Sequence, residues 1–159
     1  MSNLADELDA VMTELYARYG AREFEATRRL WDPDEQHPIY LAEEIDDFLR
    51  RWPEIESYWA GTRAALSNLG SRHRDLHAQR IGDDLAIATC WLHWDAVIVG
   101  RPAPVGGDVR VTATFRRKAD GWKLIHYVEA PVAPTIYFRQ LLERSATPGF
   151  PAEQGSTQP

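Results

Sequence analysis

Arg110-Val111-Thr112-Ala113-Thr114-Phe115-Arg116-Arg117, followed across Lys118-Ala119 by Asp120-Gly121-Trp122-Lys123-Leu124-Ile125-His126, decides how this chain is read. Apolar and polar side chains alternate on both sides of an Asp-Gly turn, the pattern of a β-hairpin with one covered face. The same period of two extends upstream. It predicts four strands, His73 to Ile81, Leu85 to Val99, Val109 to Arg117 and Trp122 to Glu129, separated by Gly82-Asp83, Gly100 to Gly107 and Asp120-Gly121. Before residue 70 the spacing changes. Leu8, Val11, Met12, Leu15, Tyr16 and Tyr19 recur at three- and four-residue steps, which predicts a helix from Leu4 to about Ala26. A second helix is predicted from Pro53, a residue suited to a first helical turn, through Ile55, Tyr58, Trp59, Ala65, Leu66 and Leu69 to a stop at Gly70. Between the helices, Arg29 to Asp32 reads as a short strand stopped by Asp32-Pro33-Asp34, and residues 33 to 52 as a covering loop. Helices first and an antiparallel meander after them define an α+β fold.

The chain has 159 residues, 44% hydrophobic and 26% charged, which fits one domain over residues 1–145. Thr135 to Arg144 reads as a last short helix, and residues 146–159, rich in Pro, Gly, Ser, Thr and Gln, as a disordered tail. Eighteen Lys and Arg against 24 Asp and Glu give a net charge of -6, which argues against nucleic acid and anionic membranes as partners. With one cysteine, Cys90, no intramolecular disulfide forms, and a reducing compartment is expected. The acidic start, with Asp6, Glu7, Asp9 and Glu14, is not a secretory signal, and no apolar run reaches the ~20 residues of a membrane span. A cytoplasmic location follows as the expectation.

Strand alternation assigns faces. If Lys118 to Gly121 is the hairpin tip, Thr114 opposes Ile125, Thr112 opposes Tyr127 and Arg110 opposes Glu129. Val111, Ala113, Phe115, Leu124, His126 and Val128 then share an oily face with Ala88, Cys90, Leu92, Trp94 and Ala96. Trp91, His93 and Asp95 join Thr112, Tyr127 and Glu129 on the other, a few polar groups on an apolar wall. That strand face also reads as a dimer surface, with Arg110 and Glu129 as a cross-strand ion pair. His126 reads as a packed core histidine and Cys90 as an inert core thiol. His73, Asp75 and His77 share a strand face, but with the two histidines ~13 Å apart along the backbone they do not make a zinc set. No metal and no cofactor are expected.

The two helices, the acidic and aromatic segment between them, Trp52-Pro53-Glu54-Ile55, Ile81-Gly82-Asp83-Asp84-Leu85-Ala86 and the closing hairpin together resemble the nuclear transport factor 2-like and SnoaL-like superfamily over residues 4 to 144. The resemblance implies a cone-shaped, curved, mostly antiparallel sheet wrapped around the N-terminal helices, with an apolar pocket at its open end. It also implies a choice of functions, because members include ketosteroid isomerases, scytalone dehydratase, polyketide cyclases, epoxide hydrolases and noncatalytic association domains.

In members without cofactors, chemistry rests on a carboxylate or imidazole base and on donors that stabilise an oxyanion. The expectation is a cofactor-independent lyase, dehydratase or isomerase acting on an aromatic or polycyclic small molecule. His93 is the candidate base, Asp95 its orienting carboxylate, ~6.5 to 7 Å away along the strand, and Tyr127 the oxyanion donor. Trp31, Tyr40, Glu44, Trp59, Trp91, Arg110, Thr112 and Glu129 are candidate substrate contacts, with Glu43 beside Glu44 in the segment where related enzymes place an acid. The alternative is a noncatalytic ligand-binding or dimerisation module. A homodimer is expected under both, since Leu85 to Val99 reads as apolar on two sides.

Overall fold

The first helix, α1 (Leu4–Gly20), begins where the Asn3 side chain accepts the Asp6 amide at 3.0 Å, with Asp6 and Glu7 in the electropositive first turn. Its buried stripe is Leu8, Met12, Leu15, Tyr16 and Tyr19. The helix ends at Gly20 rather than near Ala26 because Arg22 takes a left-handed backbone, φ 60°, and closes the end. The Arg22 and Glu23 amides donate back to the Tyr19 and Arg18 carbonyls, each at 2.8 Å. The Arg22 guanidinium fastens this corner to the Arg63 and Ser67 carbonyls at 2.9 and 3.3 Å. A 3-10 helix, Phe24–Leu30, follows, and the strand expected at Arg29 to Asp32 reduces to one bridge between Trp31 and Leu124.

The stretch read as a covering loop contains strand β1 (Ile39–Leu41). Helix α2 (Trp52–Ala65) starts with Pro53 in its first turn and buries Ile55 and Trp59. It stops before Gly70 because the chain becomes extended at Leu66, so Leu66, Leu69 and Gly70 belong to β2 (Leu66–Ile81). Strands β3 (Leu85–Ile98), β4 (Val105–Lys118) and β5 (Gly121–Pro131) complete the sheet. The computed structural model describes residues 3–132 and Pro148. The helix expected at Thr135 to Arg144 and, apart from Pro148, the tail at 146–159 lie outside the described residues.

The expected cone is corrected. The fold is α+β with a mixed sheet in the order β1-β5-β4-β3-β2, β1 parallel to β5 and the other pairs antiparallel. The terminal strands β1 and β2 do not pair with each other, so the sheet is open and not strongly curled. The physical reason lies in β1, which has three residues and on its far side meets only a Tyr40–Leu49 bridge, too little to continue the sheet around the helices. Among the described residues no helix is long and apolar enough to cross a membrane.

Two bulges set which side chains face the helices. Thr114 pairs with His126 but Phe115 pairs with Leu124, which leaves Ile125 as the extra residue of β5. Beyond it every β5 side chain changes face relative to the uninterrupted register. Thr112 therefore opposes Val128, Ala113 opposes Tyr127, Val111 opposes Glu129 and Arg110 opposes Ala130. Tyr127 and Glu129 turn inward onto the core, while His126 and Val128 turn outward, the reverse of the expected assignment. A second irregularity between Arg74 and His77, with Asp75 at φ 56°, separates His73 from His77. His73 lies opposite Leu92 on the inner side, and His77 lies opposite the exposed Thr89.

One end of the sheet is locked by charge. Asp32 is fully buried, accepts the Asp34 amide at 3.0 Å, and meets Arg116 Nη1 at 2.7 Å and Lys118 Nζ at 3.1 Å. Burial alone would raise its pKa, but the Asp34 amide, Arg116 and Lys118 outweigh it and hold the carboxyl below its ordinary value.

Candidate active site

The parallel pairing of β1 with β5 sets Tyr40 beside Tyr127, and their rings stack with centroids 5.4 Å apart. Tyr16 and Tyr19 reach the same place from α1, three residues apart and therefore on one helix face. The Tyr16 and Tyr127 hydroxyls lie 3.2 Å apart, as do those of Tyr19 and Tyr40. Tyr127 donates to Glu129 Oε1 at 2.7 Å. Since Tyr127 has one proton and gives it to the carboxylate, Tyr16 is the donor in the Tyr16–Tyr127 bond. The other Glu129 oxygen accepts the Glu43 amide at 3.1 Å, which ties the carboxyl to the segment after β1.

Glu129 lines a cavity of about 530 Å³ between the inner sheet face, α1, α2 and the 42–44 segment. Tyr19, Phe24, Tyr40, Tyr58 and Trp94 supply its aromatic wall, and Glu43 and Glu44 lie on its acidic side. Glu129 is 9% exposed. Burial pushes its pKa up to about 7 against the two hydrogen bonds that favour the carboxylate, and the nearby Glu44 and Glu43 charges push the same way. Tyr16, Tyr40 and Tyr127 are driven well above the phenol value by burial, so they remain donors at neutral pH. Burial likewise pushes the Cys90 thiol up to about 11, consistent with an unreactive core group. Because Tyr127 favours the charged form of Glu129, Tyr127→Phe is expected to move the Glu129 midpoint upward from about 7 in a carbon-13 NMR titration. An unchanged or lower midpoint would contradict this hydrogen-bond account.

The residues expected to form one site fall into three places. Tyr40, Glu44 and Glu129 line the cavity. Trp31 and Trp59 are buried behind Tyr40, at ring distances of 6.3 and 6.0 Å, as core rather than wall. His93, Asp95, Trp91, Arg110 and Thr112 lie on the opposite sheet face, away from Tyr127. There His93 Nδ1 meets Asp108 at 3.1 Å and its Nε2 meets Asp95 at 3.3 Å, while Arg74 and Arg72 pair with Asp108 and Asp95. The expected Arg110–Glu129 ion pair is absent: Arg110 donates to the Pro131 carbonyl at 2.8 Å. Tyr16, Tyr19 and the inward position of Glu129 escaped the sequence. The tyrosines carried a signal only as part of the buried stripe of α1, and the bulge at Ile125 that turns Glu129 inward carried none. His73 Nε2–H donates to Asp9 Oδ1 at 2.7 Å, and no cluster of three or more metal-ligating side chains occurs among the described residues.

Several known structures share this architecture. A protein of Streptomyces avermitilis provisionally named a dehydratase of the NTF2-like family is 25% identical, with 82% of this chain and 96% of that chain covered and a TM-score of 0.71. A Novosphingobium aromaticivorans protein provisionally named a scytalone dehydratase is 6% identical over 80% of this chain and 83% of its own, TM-score 0.71. A Xanthomonas campestris protein provisionally named a calcium/calmodulin-dependent protein kinase II association domain is 14% identical over 82% of this chain and 89% of its own, TM-score 0.70. The latter two likenesses concern the fold alone. No match was found among curated proteins. Residues 8–134, nearly the whole described chain, match the SnoaL-like domain, and the protein therefore belongs to the SnoaL-like family of the NTF2-like superfamily.

Proposed function

We propose that the protein is a cofactor-independent enzyme that moves a proton on a small, flat, largely apolar molecule held in the 530 Å³ cavity, as a lyase, dehydratase or isomerase does. The observation that carries this reading is Glu129: a buried carboxyl on an aromatic wall, with its pKa raised to about 7, where it can both take and return a proton at neutral pH. In the simplest such step the carboxylate accepts a proton from a carbon beside a carbonyl. The C–H electron pair moves into an enolate, and negative charge gathers on the carbonyl oxygen. Only one hydroxyl of the Tyr19–Tyr40 pair donates to the other, which leaves one O–H to meet that oxygen. Returning the proton to a different carbon gives isomerisation, and loss of a β-hydroxyl from the enolate gives dehydration.

The test needs no knowledge of the natural substrate. 2-Tetralone, a bicyclic ketone with acidic α-protons, should exchange them for deuterium faster with the protein than in matched buffer, followed by proton NMR. Exchange at the buffer rate would overturn the reading. His93→Ala should leave the rate within about twofold of the parent, since His93 faces away from the cavity; a loss of ~10²-fold or more would return the imidazole to the mechanism.

A homodimer and a cytoplasmic location belong to the same proposal. The dimer would use the outer face of β3 and β4, where Trp91 lies beneath Arg74 at 5.3 Å and the His93–Asp108–Arg74 cluster supplies polar contacts. A mass of 18.1 kDa in light scattering at micromolar concentration would count against it.

A further inference from the structure

The polar lining of the cavity has one sign. Glu129 lies at its buried end, the half-buried Glu43 beside it and the exposed Glu44 further out, while no Lys, Arg or His among the described residues lines it. Elsewhere the chain pairs its acids freely: Asp32 with Arg116 and Lys118, Glu14 with Arg18 and Arg29, Glu25 with Arg63. None of the three cavity carboxyls has an ion-pair partner among the described residues; their hydrogen bonds come from Tyr127, Tyr58, the Glu43 amide and, at Glu43, the Trp94 side chain, all neutral donors. Around them stand the rings of Tyr19, Phe24, Tyr40, Tyr58 and Trp94. Uncompensated carboxylates inside an aromatic wall reject an anion, and they match a cation, which gains from both the carboxylate charge and the ring faces.

We infer that the natural ligand of this cavity is a hydrophobic amine, an aromatic or polycyclic body carrying a protonated nitrogen that sits between the Glu43–Glu44 pair and the ring faces. This inference rests on the cavity being a small-molecule site, as proposed above, and narrows the substrate class within it. Carboxylates and phosphate esters are excluded, and neutral analogues bind more weakly. The raised pKa of Glu129 agrees with an unmet demand for positive charge, since an incoming ammonium would favour its ionised form.

Three naphthalene probes of matched shape test this by calorimetry with the full chain at pH 7 and low salt: 2-(aminomethyl)naphthalene, 2-naphthalenemethanol and 2-naphthoate. The amine is expected to bind about tenfold or more tightly than the alcohol, with naphthoate weakest. In the Glu43→Gln, Glu44→Gln double variant the amine-to-alcohol ratio should fall to within about threefold, and 0.5 M NaCl should narrow it in the parent. Equal binding of amine and alcohol, or tighter binding of naphthoate, overturns the inference while leaving the small-molecule site intact. Binding of none of the three overturns both. A tenfold amine preference in a protein that fails to exchange 2-tetralone upholds the ligand class and removes only the proton-transfer chemistry.

Discussion

Glu129→Gln is expected to slow deuterium exchange into 2-tetralone by on the order of 10²- to 10⁴-fold, the span typical for loss of a positioned acid/base group. Glutamine keeps the length of the side chain and its acceptor for Tyr127, and gives up only the bond from the Glu43 amide, which then faces the carboxamide NH2. The same variant should change the pH dependence of stability. A carboxyl whose folded pKa is raised costs nothing below its unfolded value near 4.5, where both states are protonated. As pH climbs through about 7 the folded state must ionise a buried group, and stability falls. With a displacement from 4.5 to about 7 the penalty above neutrality is at most on the order of 3 kcal/mol. The parent should therefore lose more melting temperature between pH 5 and pH 8 than Glu129→Gln does. Unchanged exchange in the variant would remove the carboxyl from the mechanism.

The second large effect concerns folding. Asp32→Ala should destabilise the protein by about 3 kcal/mol, because it removes the buried carboxylate that Arg116 and Lys118 share, leaves them only Glu35 and Asp34, and strips the Asp34 amide of its acceptor. The pH sign is opposite to that of Glu129. The Asp32 carboxyl is held below its ordinary value, so its contribution is complete above the unfolded value near 3.9 and is lost as pH falls through the lower folded one. Urea unfolding at pH 7 and at pH 3 checks both statements: the gap between parent and variant should shrink in acid. A loss under about 0.5 kcal/mol at pH 7 would show that the charge cluster contributes no more than a surface ion pair.

The elements of this fold were largely visible in the sequence, since α1, α2 and the four long strands each declare themselves by period. The pairing of Ala88 with Ala113 and of Cys90 with Val111 also follows the apolar alternation. Two features escaped. The open sheet depends on how little of residues 33–52 becomes strand, and β1 with three residues is too short for a period to show. The site depends on Ile125, a residue that looks like any other alternating apolar position yet stands unpaired in the β5 ladder. A single extra residue there exchanges the two faces of β5, which takes Tyr127 and Glu129 away from His93 and delivers them to Tyr16 and Tyr40. Trp31 and Trp59 illustrate a different gap: aromatic content announces a large apolar interior but does not say which rings line a cavity and which pack behind it.

The proton-transfer chemistry proposed for the cavity turns on the ionisation of one group, and a carbon-13 NMR titration of the glutamate side-chain carboxyls, with Glu129→Gln used to assign the resonance, measures it without any substrate. The account predicts that Glu129 titrates at about 7, well separated from the surface glutamates. A midpoint near the ordinary glutamate value of about 4.3 would contradict it, since the carboxyl would then be a solvated, weak base whose proton affinity burial does not raise.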